Sequence, residues 1–304
     1  MSSLSPAAPA AQAPAHHQFF SLRRVWAIAT NTLLELVRLK VFYFLLIFAV
    51  LIIGGSFKLV EFSFQEQFQV LKDIALGAMS IFTWLLGMLA TAMLLPKDQE
   101  DRTLYTILAK PVPRFEYLLG KLLGVLVMLA IALTLMSAVF MVVLYAREQT
   151  AILQVKGSTP PALLEAAVAE IKAATFNWNL LPGIILIYLK SALFAAATLF
   201  ISTFSSSWIF TIMISISVYL IGHLQGTARQ FWLEGGAAHG PLTEVFLAGV
   251  ALLFPDLQLF SLVDDIAVGA AVPMALFGKS VALGSLYLVI YLLLGYFVFS
   301  QKEL

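Results

Sequence analysis

From Leu181 to Leu224 the chain passes a single Lys, Arg, Asp or Glu, namely Lys190. A helix crossing the hydrocarbon core of a bilayer needs about 20 apolar residues, so this stretch is too long for one crossing. The polar run Ser205-Ser206-Ser207 divides it into two helices joined by a tight turn. Four further intervals are apolar enough to cross: Val41 to Phe57, short but continuous with a helix before it, Ile74 to Pro96, Leu122 to Ala146, and Ser280 to Gln301. The fold class expected is therefore an all-α polytopic membrane protein with six spans, at about 41–57, 74–96, 116–146, 181–204, 207–224 and 280–300. Composition agrees. The chain is 61% hydrophobic and 12% charged, whereas soluble domains carry about a quarter charged residues.

The same composition excludes several functions. A formal net charge of +1 supplies no basic field for nucleic acid, so the partner expected from physics alone is the lipid bilayer. The chain has no cysteine, which removes disulfides, thiol nucleophiles, iron–sulfur clusters and thiolate zinc sites. Orientation follows from the basic residues, which are retained on the cytoplasmic side of span ends. With the N-terminus inside, the inner segments hold Arg23, Arg24, Arg38, Lys40, Lys97, Arg102, Lys110, Arg114, Lys121 and Lys302. The outer loops are longer and carry most of the acids. Both termini are expected in the cytoplasm.

Residues 1–18, rich in Ala and Pro, read as a disordered cytoplasmic tail ahead of a single transmembrane domain over 19–304. From Phe19 to Lys40, Leu22, Val25, Trp26, Ala29, Leu33, Leu36 and Val37 recur at helical spacing among Arg23, Arg24, Glu35 and Arg38. This pattern predicts an amphipathic helix lying on the inner membrane face. Outside, Thr159 as N-cap with Pro160 and Pro161 opens a helix over about 160–175, whose apolar stripe would rest on the membrane or on a partner subunit. Two apolar runs before the last span, Val245 to Pro255 and Ile266 to Gly278, are too short to cross and read as re-entrant or interfacial helices.

Between the second and third spans lies the most charged stretch, from Lys97 to Lys121. Asp98, Glu100 and Asp101 suit the positive end of a helix, and Leu104, Ile107 and Leu108 form its apolar side. Pro111 disfavours helix at Lys110, and Pro113 suits the first turn of the next helix. The result is a short charged cytoplasmic helix held by a stiff Lys-Pro-Val-Pro corner. On physics alone it is equally a lever carrying force into the membrane or a solvated loop kept inside by its charge.

The run Glu100, Arg102-Thr103-Leu104, Leu108, Lys110-Pro111-Val112, Arg114, Tyr117-Leu118-Leu119-Gly120-Lys121 resembles the acid, Gly-Thr-Leu, Leu-Leu, Pro-Val, Arg, Tyr-Leu-Leu-Gly-Lys pattern of type-2 ABC exporter permeases. The likeness extends to Thr32, Glu35, Leu36 and Arg38 in the N-terminal "elbow" helix, to six spans, and to short helices before the last span near "FPDLQLF". Two departures stand out: Arg102 replaces the family's usual Gly, and the helix over 160–175 is an addition. The resemblance implies a permease subunit with Glu100, Arg102, Thr103, Leu104, Ile107, Leu108 and Arg114 in its ATPase-coupling region and Arg24, Glu35 and Arg38 in its elbow helix. It implies a cytoplasmic ABC ATPase as partner, a second permease subunit, identical or not, and a location in the cell inner or plasma membrane. ATP and Mg would bind that partner, so the chain itself would be no enzyme and hold no cofactor. A phosphate-cradling loop in this chain would need Gly where Pro273 precedes Gly278-Lys279-Ser280.

A cargo pathway is less legible. Ser207, Thr211, Ser215, Tyr219 and His223 recur every four residues on one helix face, a pattern that serves close packing as well as a pathway. Lys190 either snorkels towards the outer interface or faces a cavity or subunit interface. His223 and His239 have no metal-ligand spacing. Alternatives to an exporter permease are a structural or scaffold membrane subunit and an ion-coupled carrier, although every Asp and Glu falls near a span end or in a loop. A membrane protease would need a zinc helix, a serine nucleophile motif or an intramembrane aspartate motif, and none is present.

Overall fold

Successive apolar runs, each long enough to satisfy its own backbone hydrogen bonds in lipid, leave helix as the only open arrangement for this chain. A computed structural model describes residues 20–58, 64–100, 112–234, 254, 257–260 and 273–302. Among the described residues there is no strand. The helices are α1 (Leu22–Val37), α2 (Lys40–Gly55), α3 (Phe64–Glu100), α4 (Arg114–Ser158), α5 (Pro161–Thr175), α6 (Leu180–Phe204), α7 (Trp208–Glu234) and α8 (Met274–Gln301), with a 3-10 turn at Leu257–Phe260. Five helical stretches are long and apolar enough to cross a membrane, and a sixth if α1 and α2 count as one broken span. The all-α polytopic fold is as the sequence implies.

Several boundaries differ. α1 and α2 are not continuous: the chain bends by 68° between them, with Arg38 and Leu39 at the break. Pro96 does not end α3, which runs on to Glu100. Membrane helices tolerate such a proline where neighbouring groups take up the freed carbonyl. Asp98 and Glu100 therefore close α3 instead of opening a new helix. α4 continues for 45 residues, well past Ala146, so the expected outer loop begins as helix. Met274 to Gly278 forms the start of α8 and does not belong to a separate short helix. Residues 245–253 and 266–272 of the two expected interfacial runs lie outside the described residues, as does the tail over 1–18.

Two expectations of local structure hold closely. The Ser205–Ser207 turn separates α6 from α7, with the Ser205 hydroxyl donating to the Ser207 carbonyl at 2.8 Å and accepting from the Ser207 amide at 3.2 Å. α5 forms where the Pro160-Pro161 pair predicts it, although Pro160 rather than Thr159 holds the N-cap position and Thr159 caps the end of α4. Apart from Leu163, which is exposed, the apolar stripe of α5 covers this chain's own helices. Ile171 is buried, Leu164, Ala167 and Val168 pack on the core, and the helix lies against α4 and α3. The Lys72 ammonium donates to the Ala174 carbonyl at 2.7 Å, tying the C-terminal end of α5 to α3.

The core sits where α3, α4 and α6 meet, and α8 packs on α6. α1 splits its apolar residues between two faces. Val25, Ala29 and Leu36 are buried against α4, whereas Leu22, Trp26 and Leu34 are exposed, as suits a helix lying at a membrane surface.

Candidate functional site

Four helix ends converge at one end of the bundle. The first two turns or so of α4 supply Arg114, Glu116, Tyr117 and Lys121, which reach α1, α3 and α8. Glu116 is only 1% exposed. Its carboxylate accepts from Arg24 of α1 through Nε to Oε2 at 2.6 Å and Nη2 to Oε1 at 2.7 Å, and from the Ser21 amide at 2.8 Å. This two-pronged geometry is the strongest form of carboxylate recognition by arginine. The carboxylate's hydrogen bond and charge hold the Arg24 guanidinium protonated above even its ordinary range.

Lys121 is buried and pairs with Asp98 at the end of α3, Nζ to Oδ2, at 2.6 Å. The Tyr117 hydroxyl donates to the same Asp98 oxygen, and Tyr117 stacks on Phe299 of α8 with centroids 5.9 Å apart. Lys97 pairs with Glu35 of α1 at 2.8 Å, and Lys121 lies 3.7 Å from that carboxylate. Buried charges are tolerable only when paired and hydrogen-bonded, and here Asp98, Glu35, Lys97, Lys121 and Tyr117 satisfy one another. Arg114 turns to α8, where its Nη1 donates to the carbonyls of Phe299 (3.0 Å), Ser300 (2.6 Å) and Lys302 (3.1 Å).

Glycine makes the junction close. A Cβ on Gly120 would lie 2.7 Å from the Ile28 Cβ, and one on Gly124 would lie 2.7 Å from the Thr32 Cβ and 2.8 Å from the Ala29 carbonyl oxygen. The pair Gly120 and Gly124, four residues apart, is the small-residue spacing that lets membrane helices touch backbone to backbone. α1 is thus fixed to α4 both by the Arg24–Glu116 pair and by this groove.

The structure brings Arg24, Glu35 and Arg114 of the predicted set into this junction. Arg38 stays exposed at the α1–α2 bend. Glu100 is exposed at the end of α3, and Arg102, Thr103, Leu104, Ile107 and Leu108 lie outside the described residues. Those residues belong to the 11-residue connection between Glu100 and Val112, whose two flanks are Asp98 and Arg114. The sequence pointed to Asp98 only as a helix opener and to Tyr117, Gly120 and Lys121 only as part of a motif, and Gly124 had no role there. The Gly-x-x-x-Gly spacing and the acid-rich end of α3 were the signals available.

At the other end of the bundle, Arg147 lies over the Phe57 ring at 5.1 Å, near the Lys72–Ala174 bond.

The second predicted set meets between α3, α6 and α7. Thr211 and Ser215 are buried, and the Thr211 hydroxyl donates to the Ser207 carbonyl at 3.1 Å. Tyr219 stacks on Trp84 with centroids 4.0 Å apart, and lies 5.2 Å from Phe194 and 4.7 Å from His223. The Lys190 Nζ lies 5.9 Å from the Tyr219 ring centroid, within the bundle.

With helix order, the bent elbow and the charged junction in place, comparison with protein families decides the assignment: the model of the ABC-2 family transporter protein matches residues 26–304. The chain belongs to the ABC-2 transporter family. A search of curated proteins finds no match. As an ABC-2 protein it is the membrane permease component of an ABC transporter and a multi-pass membrane protein. ABC-2 permease subunits are not themselves enzymes, and membership implies association with an ABC ATPase.

Proposed function

We propose that this permease is half of an ATP-driven exporter in the cell inner or plasma membrane, paired with a second permease subunit and driven by a separate cytoplasmic ATPase that binds ATP and Mg. Both termini and the ion-paired junction face the cytoplasm. The segment from Glu100 to Ala109 receives the ATPase, with Leu104 and Leu108 as its apolar contacts and Glu100, Arg102, Thr103 and Ile107 beside them. Movement of that segment passes to the junction and alternates access between the permease halves.

The observation that carries this reading is the anchorage of both flanks of the segment. Asp98 on one side is held by Lys121 and Tyr117, and Arg114 on the other is held by the end of α8. A force on the segment therefore reaches α1, α3, α4 and α8 together. An ordinary surface loop needs no such anchorage.

The test is co-purification. Replacing Leu104 and Leu108 together by Asp should detach the ATPase while the permease remains inserted in the membrane. An ATPase that still co-purifies in full would count against the assignment. Orientation is checked separately through Lys97, whose side chain is 42% exposed: an impermeant amine reagent should reach it only after the membrane is permeabilised. Labelling in intact cells would place the junction on the wrong side.

A further inference from the structure

Lys190 stands 11 residues into α6, away from either end of the span, and is 7% exposed. Among the described residues it makes no hydrogen bond or ion pair; its nearest partner is the Tyr219 ring. A charge at this depth is costly, and where one persists it faces a partner or a pathway. A single aromatic face at 5.9 Å is a weak counterpart for an ammonium that carries three donors.

Two buried polar atoms close by also lack a partner. The Trp84 indole nitrogen is buried with no hydrogen-bond partner, on the ring that stacks against Tyr219 and meets Phe194 edge-on with centroids 6.2 Å apart. One turn beyond Phe194 on α6, the Thr198 hydroxyl is likewise buried and unpartnered. Unsatisfied buried donors are rare and each calls for an explanation. Here an ammonium faces the Tyr219 ring, and the Trp84 indole stacked on that ring carries an unpartnered N–H. Trp84 and Tyr219 are only partly buried, so the cluster is not sealed within the bundle.

We propose that Lys190, Trp84 and Tyr219 form an intramembrane recognition site for the anionic group, phosphate or carboxylate, of an amphiphilic ligand. The ammonium neutralises the anion, the indole N–H adds a directed hydrogen bond, and the partly exposed Tyr219 ring meets the apolar part next to the headgroup. Charge-assisted hydrogen bonds of this kind are roughly twice as strong as neutral ones, and the site lies where an amphiphile's chain stays in hydrocarbon. The inference needs no ATPase, so its failure would leave the proposed function standing.

Binding can be read from Trp84 itself. In the full chain held in phosphatidylcholine nanodiscs, with Trp26, Trp178, Trp208 and Trp232 changed to Phe, dodecyl phosphate should shift Trp84 emission saturably. Dodecyl maltoside, with the same chain and no charge, should not. Lys190→Arg should bind within about threefold of the parent, and Lys190→Met should bind about tenfold or more weakly, the loss expected for a charge-assisted hydrogen bond. Native mass spectrometry of the chain with its tryptophans intact, with and without Lys190→Met, gives a second readout should the four replacements impair folding. Competition by inorganic phosphate would mean that a free anion suffices, and its failure to compete that the alkyl chain is required; a resting shift in nanodiscs containing phosphatidylglycerol would identify a bilayer headgroup as an occupant. Equal saturable binding of dodecyl maltoside, or unchanged dodecyl phosphate binding by Lys190→Met, would overturn the proposal.

Discussion

Arg24 and Glu116, 92 residues apart, face each other in a two-pronged ion pair whose carboxylate also receives the Ser21 amide. The pair fixes where the elbow helix begins relative to the third long helix, which is a geometric role as much as an energetic one. Arg24→Lys should not substitute for arginine here, because an ammonium cannot reproduce the fork. Arg24→Gln, Arg24→Lys and Glu116→Gln should each lower the melting temperature in detergent. The double variant Arg24→Gln with Glu116→Gln should lose less than the sum of its parts, because residues in contact are not additive. Full additivity would show that the two side chains act independently.

Gly124 should not tolerate alanine. The added methyl would meet the Ala29 carbonyl oxygen at 2.8 Å, and backbone cannot move aside as a side-chain tip can. Overpacking of this kind destabilises by about 1–3 kcal/mol. Gly77, also inside a long helix, has nothing within 4 Å of its would-be Cβ, so Gly77→Ala should be neutral or gain up to about 1 kcal/mol from helix propensity. Thermal unfolding of the two variants side by side checks the contrast.

Lys121→Met leaves Asp98 without its closest cation in a buried position. Removing one partner of a buried pair costs about 3–5 kcal/mol, and this should appear as poor recovery of folded permease. Tyr117→Phe removes a single hydrogen bond to the same carboxylate and should cost about 1–3 kcal/mol. The order of the two losses, measured by chemical unfolding, is the prediction.

Arg114 holds three carbonyls at the end of α8. Arg114→Gln should release that end, raising backbone hydrogen exchange over residues 297–302 while leaving residues 122–146 as protected as before. If ATPase coupling passes through this contact, the variant should also bind the ATPase normally yet lower its stimulation.

Lys72→Met should free α5. The lysine is bound to the Ala174 carbonyl, so its loss should speed hydrogen exchange and proteolysis within residues 161–175. The ion-paired junction should be untouched, since the bond lies at the opposite end of the bundle.

The division of spans was legible because it depends on run length and charge alone. Ser205–Ser207 breaks α6 from α7, and Pro160-Pro161 opens α5, as local chemistry dictates. Tertiary contact decided the rest. Asp98 looked like the start of a helix because acids favour that end, yet Lys121 and Tyr117 hold it at the end of α3. The apolar residues of α1 looked like one membrane-facing stripe, but Val25 and Ala29 meet a groove that Gly120 and Gly124 open on α4. No periodicity within α1 could reveal that groove, because it exists only on the other helix.

The unbroken run of α4 sets a scale for the whole molecule. At 1.5 Å per residue, 45 residues make a rod of about 68 Å, and pivoting such a rod by about 5° swings its far tip through about 6 Å. Because only Thr159 and Pro160 separate that tip from α5, a small rotation imposed at Glu116 and Lys121 would arrive, amplified and with no intervening joint, on the opposite face of the membrane.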